Sequence, residues 1–297
     1  MNSMHRKAAG ALLVGALLCG TAACSSDDGK DDKKASGHSS DAAAKPAQKP
    51  VDASFAAAVE RAAKKNEEIT SLRYTMSGAM PENGHVEAMA SMSMKPQAMQ
   101  MKMKVKGATP DESGEMEIRL VDGGMYLNAG EKGSAATGGK SWMKFPSGTA
   151  GKAPGGTNAF GMRGQAEQNP VDDAGSMKAA KDLDKVGQET VDGVRTTHYK
   201  GTVTLAQMRK SLAKEDAAAR KRHEAKLKSY EDLGVEKFQM DIWIDGKDHT
   251  KQFRMRSATK KGPMDLTIKF LDYNKPVDVK APAASEVMDL GQLGKDS

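Results

Sequence analysis

The sequence predicts an α+β domain whose bulk is antiparallel sheet, set behind a secretion leader and a polar tether. Three observations predict it. Many stretches after residue 70 alternate apolar and polar residues with a period of two, as strands with one buried face do. Two segments, near 54–70 and 206–233, carry helical composition and spacing instead. The first 50 residues have no pattern that could build a core.

The chain opens with Arg6 and Lys7, followed by an uncharged apolar run from Ala8 to Leu18. A short positive region before a short apolar run is the anatomy of a secretory leader. The run is about half the ~20 residues of a membrane-spanning helix and leads into small and then charged residues, so it reads as export rather than a permanent anchor. Gly20-Thr21-Ala22-Ala23-Cys24-Ser25-Ser26 resembles the bacterial lipobox, in which small residues precede a cysteine that receives a diacylglycerol before the leader is cut. Thr21 stands where that box usually has leucine, and an ordinary Ala-x-Ala-like cleavage with Cys24 incidental is the alternative.

The expected organisation is therefore a signal peptide at 1–23, a lipidated Cys24 with a disordered tether over 24–50, and a single domain over 51–297. Lipidation would hold the protein on the extracytoplasmic face of the cell membrane, because more than one acyl chain anchors stably where a single one does not. Cys19 would leave with the leader, and with Cys24 acylated the mature chain keeps no thiol for a disulfide, so its fold must hold by burial.

The formal charge of +6 falls to +4 once Arg6 and Lys7 are removed. So small an excess on an exported chain argues against nucleic acid as a partner. Between Ser25 and Pro50 there are Asp27-Asp28, Asp31-Asp32-Lys33-Lys34 and two Lys-Pro steps, and no large apolar residue. A flexible chain of about 26 residues has a root-mean-square span of about 25–30 Å, enough to hold a domain just off the bilayer.

Ser54 is the expected cap of a first helix in which Phe55, Val59, Ala62 and Ala63 share a stripe, ending between Glu67 and Thr70. Leu72, Tyr74 and Met76 then alternate with polar or small neighbours, as do Val86 to Met94 and Met99 to Val105, the last two parted by Lys95-Pro96-Gln97. Met116, Ile118 and Leu120, then Met125-Tyr126-Leu127 and Trp142 to Phe145, continue the series as a meander. Residues 146–168 are Gly-rich and irregular and read as a long loop or flap. A short helix over 170–181, strand from 194 to 205 and a long charged helix over 206–233 follow. Met240 to Ile244, Phe253 with Met255, and Met264 to Phe270 close the alternation. Roughly eight to ten antiparallel strands and about three helices result, each strand with an apolar face that must be covered.

The chain has 20 methionines, at least ten of them at alternating strand positions, and only 4% aromatic residues. Methionine is flexible and polarizable and suits surfaces that accept variable apolar partners; a plain core that happens to use methionine is an equally good reading of the composition. Met92-Ser93-Met94 and Met99-Gln100-Met101-Lys102-Met103 also space thioethers as a Cu(I) site would. No histidine or cysteine accompanies them, and any one-faced strand has the same spacing.

His85, His198, His223 and His249 show no metal-ligand spacing, and no nucleophile elbow, S-x-x-K or P-loop is present. The chain is expected to be no enzyme, to need no cofactor or metal, and to be monomeric. The basic residues of 206–233 read as a solvated helix face, with a face toward anionic headgroups as the sharper alternative.

The order of elements is informative in itself. A helix precedes Ser71-Leu72-Arg73-Tyr74, a Gly-Gly-Met-Tyr-Leu strand follows, Val191-Asp192-Gly193-Val194 leads into Thr197-His198-Tyr199, and the end carries Asp272-Tyr273-Asn274-Lys275-Pro276-Val277 with Ala281-Pro282. This arrangement resembles the actinobacterial LppX/LprAFG-like lipoprotein family, over about residues 52–290. The resemblance implies a LolA/LolB-like fold: a curved, half-open antiparallel sheet, in effect an unclosed barrel, with helices packed on its concave side. It implies a hydrophobic cavity for a lipid or other hydrophobic ligand, and lipid transfer to or across the envelope. The cavity lining would then be Met101, Met103, Met116, Ile118, Leu120, Ile242, Ile244, Leu266 and Ile268. The alternatives are a surface sensor or interaction module that carries nothing, and a Met-rich Cu(I) protein.

Overall fold

The computed structural model describes residues 52–81, 84–107, 113–128, 130, 137–145, 170–214 and 217–293. The leader, Cys24, the tether over 24–50 and the stretch over 146–168 lie outside them.

Helix α1 (Ala53–Glu67) is followed by strands β1 (Ser71–Met80), β2 (Gly84–Met94), β3 (Gln97–Lys106), β4 (Gly114–Val121), β5 (Gly124–Asn128) and β6 (Trp142–Phe145). Helix α2 (Pro170–Gly175) and a 3-10 turn (Ser176–Ala179) lead to β7 (Asp184–Val191) and β8 (Val194–Thr204). Helices α3 (Leu205–Ser211) and α4 (Ala217–Asp232) precede β9 (Lys237–Asp245), β10 (Thr250–Thr259) and β11 (Gly262–Tyr273). A last strand, β12 (Val287–Asp289), and a single helical turn, α5 (Leu290–Leu293), end the described chain.

All the strands join one 12-stranded sheet in the order β12-β6-β5-β4-β3-β2-β1-β11-β10-β9-β8-β7. Its two ends are not paired, so the sheet is open, and the α+β architecture is the one expected. Every pairing is antiparallel except that of β6 with β12, which is parallel.

Two strands were not legible beforehand. β7 is an edge strand exposed on both faces for most of its length, so burial imposes no alternation on it. β12 is only three residues long. The turn into β8 is legible: Asp192 and Gly193 have φ of 47° and 81°, the pair of positive angles that a tight hairpin turn requires. Asp122 and Gly123 repeat this between β4 and β5, with φ of 52° and 72°.

Asp52, not Ser54, caps α1: its carboxylate accepts the Ser54 N–H at 2.8 Å. The buried stripe of α1 is Ala58, Val59, Ala62 and Asn66, with the Phe55 ring 5.9 Å from that of Tyr199 on β8.

The single helix expected over 206–233 is two helices. Thr204 starts α3 with a reciprocal cap, its Oγ1 accepting from the Gln207 N–H while Gln207 Oε1 accepts from the Thr204 N–H at 2.7 Å. A 3-10 turn at Leu212–Lys214 then follows, and α4 begins at Ala217. An unbroken helix of that length would extend for about 40 Å at 1.5 Å per residue. The break lets Leu205, Met208 and Leu212 on one side and Leu227 on the other all reach the same core.

Side chains of alternate residues form rows that cross the strands. One row runs Tyr199, Ile242, Phe253, Ile268, Met76, Ala88, Met103, Met116 from β8 to β4. The helices cover this face, which is the core. α2 packs against α1 and β10, the 3-10 turn after it packs against β8, and α3 packs against β8.

Candidate functional site

The nine residues expected to line a cavity all point to the core side of the sheet. Met103, Met116, Ile242 and Ile268 lie in the row just described. Met101 faces Ile118 across β3 and β4, and Leu120 faces Met99. Leu266 faces Met255, and Ile244 is the next inward residue after Ile242 on β9. Their burial divides them: Ile118, Leu120, Ile242, Ile244, Leu266 and Ile268 are buried in the core, whereas Met101 and Met116 are partly buried against it and Met103 is half-buried.

That division follows the sheet. On β1 to β5 the row of Leu72, Met92, Met99, Leu120 and Met125 is buried, while Met76, Met103 and Met116, four residues further along their strands, are half-buried. Apolar contact therefore loosens toward one end of the strands, and methionine occurs in both rows, fully buried at Met92, Met99 and Met125 and half-buried at Met76, Met103 and Met116. A side chain with several rotors and a polarizable sulfur suits a wall that must refit itself around a guest. Met92 and Met99, both in the thioether spacing considered for copper, face each other across β2 and β3 and are buried among core side chains. Among the described residues no cluster of three His, Cys, Asp or Glu groups is arranged to hold a metal ion.

Polar groups also reach the core side. Lys226 of α4 donates to Asp173 Oδ1 of α2 at 2.5 Å and stands 5.9 Å over the Tyr230 ring. Burial alone would pull the Lys226 ammonium down, but the charge of Asp173 and its hydrogen bond, with Tyr230 and Asp172 beside them, together outweigh it and the net shift is upward. Tyr230 meets Phe238 edge to face at 4.9 Å, and its phenol is pushed up, chiefly by burial. Tyr74, in the row next to Met76, is likewise raised by burial and then by the charge of Asp173. No sequence signal marks Lys226, Asp173 or Tyr230 as site residues, and Tyr74 stands out only in the alternation and opening motif of β1. Lys226 had been grouped with the solvated basic face, which holds for its exposed neighbours Lys221 and Lys228 but not for Lys226.

A cleft of about 600 Å³ is lined by Met76, Ala88, Met103 and Met116 of the row described above and by the residues that alternate with them. The alternating residues form two outward rows in register, Thr75, Met89, Lys102, Glu117 and Asn128 on one side and Ser77, Glu87, Lys104 and Glu115 on the other. Met89 is 61% exposed there. The charges on these walls are largely matched, as in Lys104 with Glu115 at 2.7 Å. A smaller pocket of about 220 Å³ lies between α1 and the β9–β10 turn, where Arg61 bonds Asp248.

No protein-family model matches the chain. An uncharacterized 31.2 kDa protein of Streptomyces griseus, from the rplA-rplJ intergenic region, is 32% identical over 186 residues, covering 61% of this chain and 59% of the relative. A Streptomyces coelicolor protein described as a candidate lipoprotein is 24% identical over 178 residues, covering 60% of this chain and 52% of the relative. The chain is similar to bacterial lipoproteins. It spans little more than half the length of these relatives. Among solved structures, LprF from Mycobacterium bovis is similar with a TM-score of 0.48, 14% identity and coverage of 79% of this chain and 99% of that one. The lipoprotein LppX from Mycobacterium tuberculosis is similar with a TM-score of 0.45, 13% identity and coverage of 77% and 100%.

Proposed function

We propose that this protein is an exported lipoprotein of the LppX/LprG-like kind, held at the extracytoplasmic face of the cell membrane by a lipid on Cys24. Its domain would take up a lipid or another hydrophobic ligand on the core side of the sheet and pass it on within reach of the membrane. The observation that carries the reading is the apolar row from Ile242 through Ile268 to Met103 and Met116, buried under helices at one end and half-buried and methionine-lined at the other. Such a gradient provides a rigid floor and an adaptable mouth, which is what a mostly apolar ligand site needs. The leader with Cys24, and a relative described as a candidate lipoprotein, support the anchor.

Two measurements test the two halves. Native mass spectrometry of the full-length protein from its own host is expected to show co-purified acylated ligand, and a consistently empty protein would overturn the ligand half. Cys24→Ala is expected to move the protein from the membrane fraction to the soluble one and to abolish labelling with a fatty-acid probe; a variant that stays membrane-bound and labelled would overturn the anchor.

A further inference from the structure

We propose that Met101, Met103 and Met116, with Met76 beside them, form a thioether site for a soft monovalent cation of the Cu(I) or Ag(I) kind, on the core side of β3 and β4. The site stands apart from the lipid reading above, since neither needs the other.

The sheet register brings these side chains together. Met103 of β3 and Met116 of β4 are direct partners, and Met101 stands on the same face two residues before Met103. Directly opposed residues of an antiparallel pair hold their Cβ atoms about 4.5–5.5 Å apart, and residues two apart on one strand are separated by about 7 Å. Three thioethers on arms with several rotors therefore start from one small triangle. On the other flank Ala88 of β2 lies between Met103 and Met76 of β1 in the same row. A methyl group rises little above the sheet, which leaves the Met76 side chain room to lean toward Met103.

Burial separates this set from the other methionines of the same strands. Met92, Met99 and Met125 are sealed in the core, whereas Met76, Met101, Met103 and Met116 are partly exposed, and the cleft of about 600 Å³ is lined by Met76, Met103 and Met116 with Ala88 between them. A sulfur closed into a core has no lone pair to offer an ion that arrives from water; a partly exposed one does. At such positions a methionine also gives up rotamer entropy for little burial, so packing alone does not favour it there.

The donor set selects the ion. Thioether sulfur is soft and favours Cu(I) over the hard cations that carboxylates and carbonyls hold. It carries no proton to lose, so its affinity does not fall with acidity as that of imidazole, thiolate or carboxylate does. Neutral donors in a partly apolar setting leave the charge of the ion uncompensated, a cost that rises with the square of that charge and so weighs against divalent ions. Both cysteines of the chain, Cys19 and Cys24, precede the described residues, within which the soft donors are thioethers.

The test uses the full-length chain with Cys19→Ala and Cys24→Ala, which leaves methionine as its sole source of sulfur, and Ag(I) as an air-stable probe. Calorimetric titration is expected to show saturable binding of a single Ag(I), equal at pH 5 and pH 7, and the methionine methyl resonances of Met101, Met103 and Met116 are expected to shift together. Leucine nearly conserves the volume of methionine and removes the sulfur. Met103→Leu and Met116→Leu are each expected to weaken binding roughly tenfold or more, whereas Met92→Leu and Met99→Leu leave it unchanged. Absence of saturable binding, binding unchanged when Met101, Met103 and Met116 are all leucine, or methyl shifts confined to other methionines overturns the site. The methyl shifts are read in the protein with its methionines intact, so loss of fold in a leucine variant does not remove the test.

Discussion

Trp243 lies face to face with His198 on the side of the sheet away from the core, their ring centroids 4.1 Å apart and their planes 14° from parallel. Both are buried, although their strand positions alternate with the inward set and would ordinarily face water. Glu189 of β7 closes the pair. One of its oxygens accepts the Trp243 indole N–H at 2.7 Å, and the other is 2.8 Å from His198 Nδ1. Asp241 stands 2.8 Å from the other ring nitrogen and accepts from Arg256 at 2.6 Å. The cluster ties the edge strand β7, whose exposed sequence gives it little else to bury, to β8, β9 and β10.

This geometry predicts acid sensitivity. The hydrogen bonds from Trp243 and His198 hold the Glu189 carboxyl below the usual glutamate range, against the opposing effect of its partial burial. A carboxyl depressed in the folded state adds stability above its unfolded pKa, near pH 4.3, and loses it as pH falls through the folded value. Urea midpoints at pH 7 and pH 3 should therefore differ more in the wild type than in Trp243→Phe, which keeps a ring but removes the donor. Equal differences in the two proteins would mean that Glu189 contributes nothing to the acid response.

Burial predicts a sharp contrast along the apolar row. Ile242, 1% exposed, is in the covered part, and Ile242→Ala should cost about 2–5 kcal/mol for the lost transfer energy and the cavity left behind. Met103 is half-buried, and the matching truncation Met103→Ala, which removes a side chain already partly in water, should cost less than about 2 kcal/mol. Chemical denaturation followed by Trp fluorescence measures both. Comparable losses at the two positions would show that the methionine end is as tightly packed as the rest.

Glycine geometry predicts a third contrast. Gly78 on β1 has φ of 146°, and a Cβ there would come within 1.9 Å of the Asp265 carbonyl oxygen on β11. The close approach of two backbones allows no side chain, so Gly78→Ala should destabilise by about 3 kcal/mol as the β1–β11 pairing gives way. Gly246 meets nothing within 4 Å of such a Cβ, and Gly246→Ala should stay within about 0.5 kcal/mol of the wild type. Thermal unfolding of the two variants side by side decides the matter.

How far the fold could be read in advance varied with the local signal. Strands β1 to β6 and β8 to β11 were legible because one face of each is buried, and a period of two is unavoidable when one face meets a core and the other meets water. β7 was not, because an edge strand with both faces mostly exposed obeys no such rule. The phase of the inward set was legible for the same reason the strands were: Met101, Ile118, Ile242 and Ile268 alternate with Lys, Arg, Asp and Thr neighbours whose burial would be costly. The break between α3 and α4 was not, since the Ala-, Lys- and Glu-rich stretch around 213–219 favours helix locally and only the distance between two parts of one core forbids a straight rod.

The sequence by itself thus determined the period of the strands and the side of the sheet on which each apolar residue stands, because each of these rests on residues near one another in the chain. Tertiary structure alone decided which stretch of that apolar side is covered, that Lys226 meets Asp173, and that His198 and Trp243 are buried on the far face. Those partners are separated by 43 or more residues in all but the His198–Glu189 contact, and only the pairing of distant strands and helices brings their charges and rings within range. Coulombic attraction and burial act over a few ångströms of space, and spacing along the chain carries no record of that distance once the sheet has folded it away.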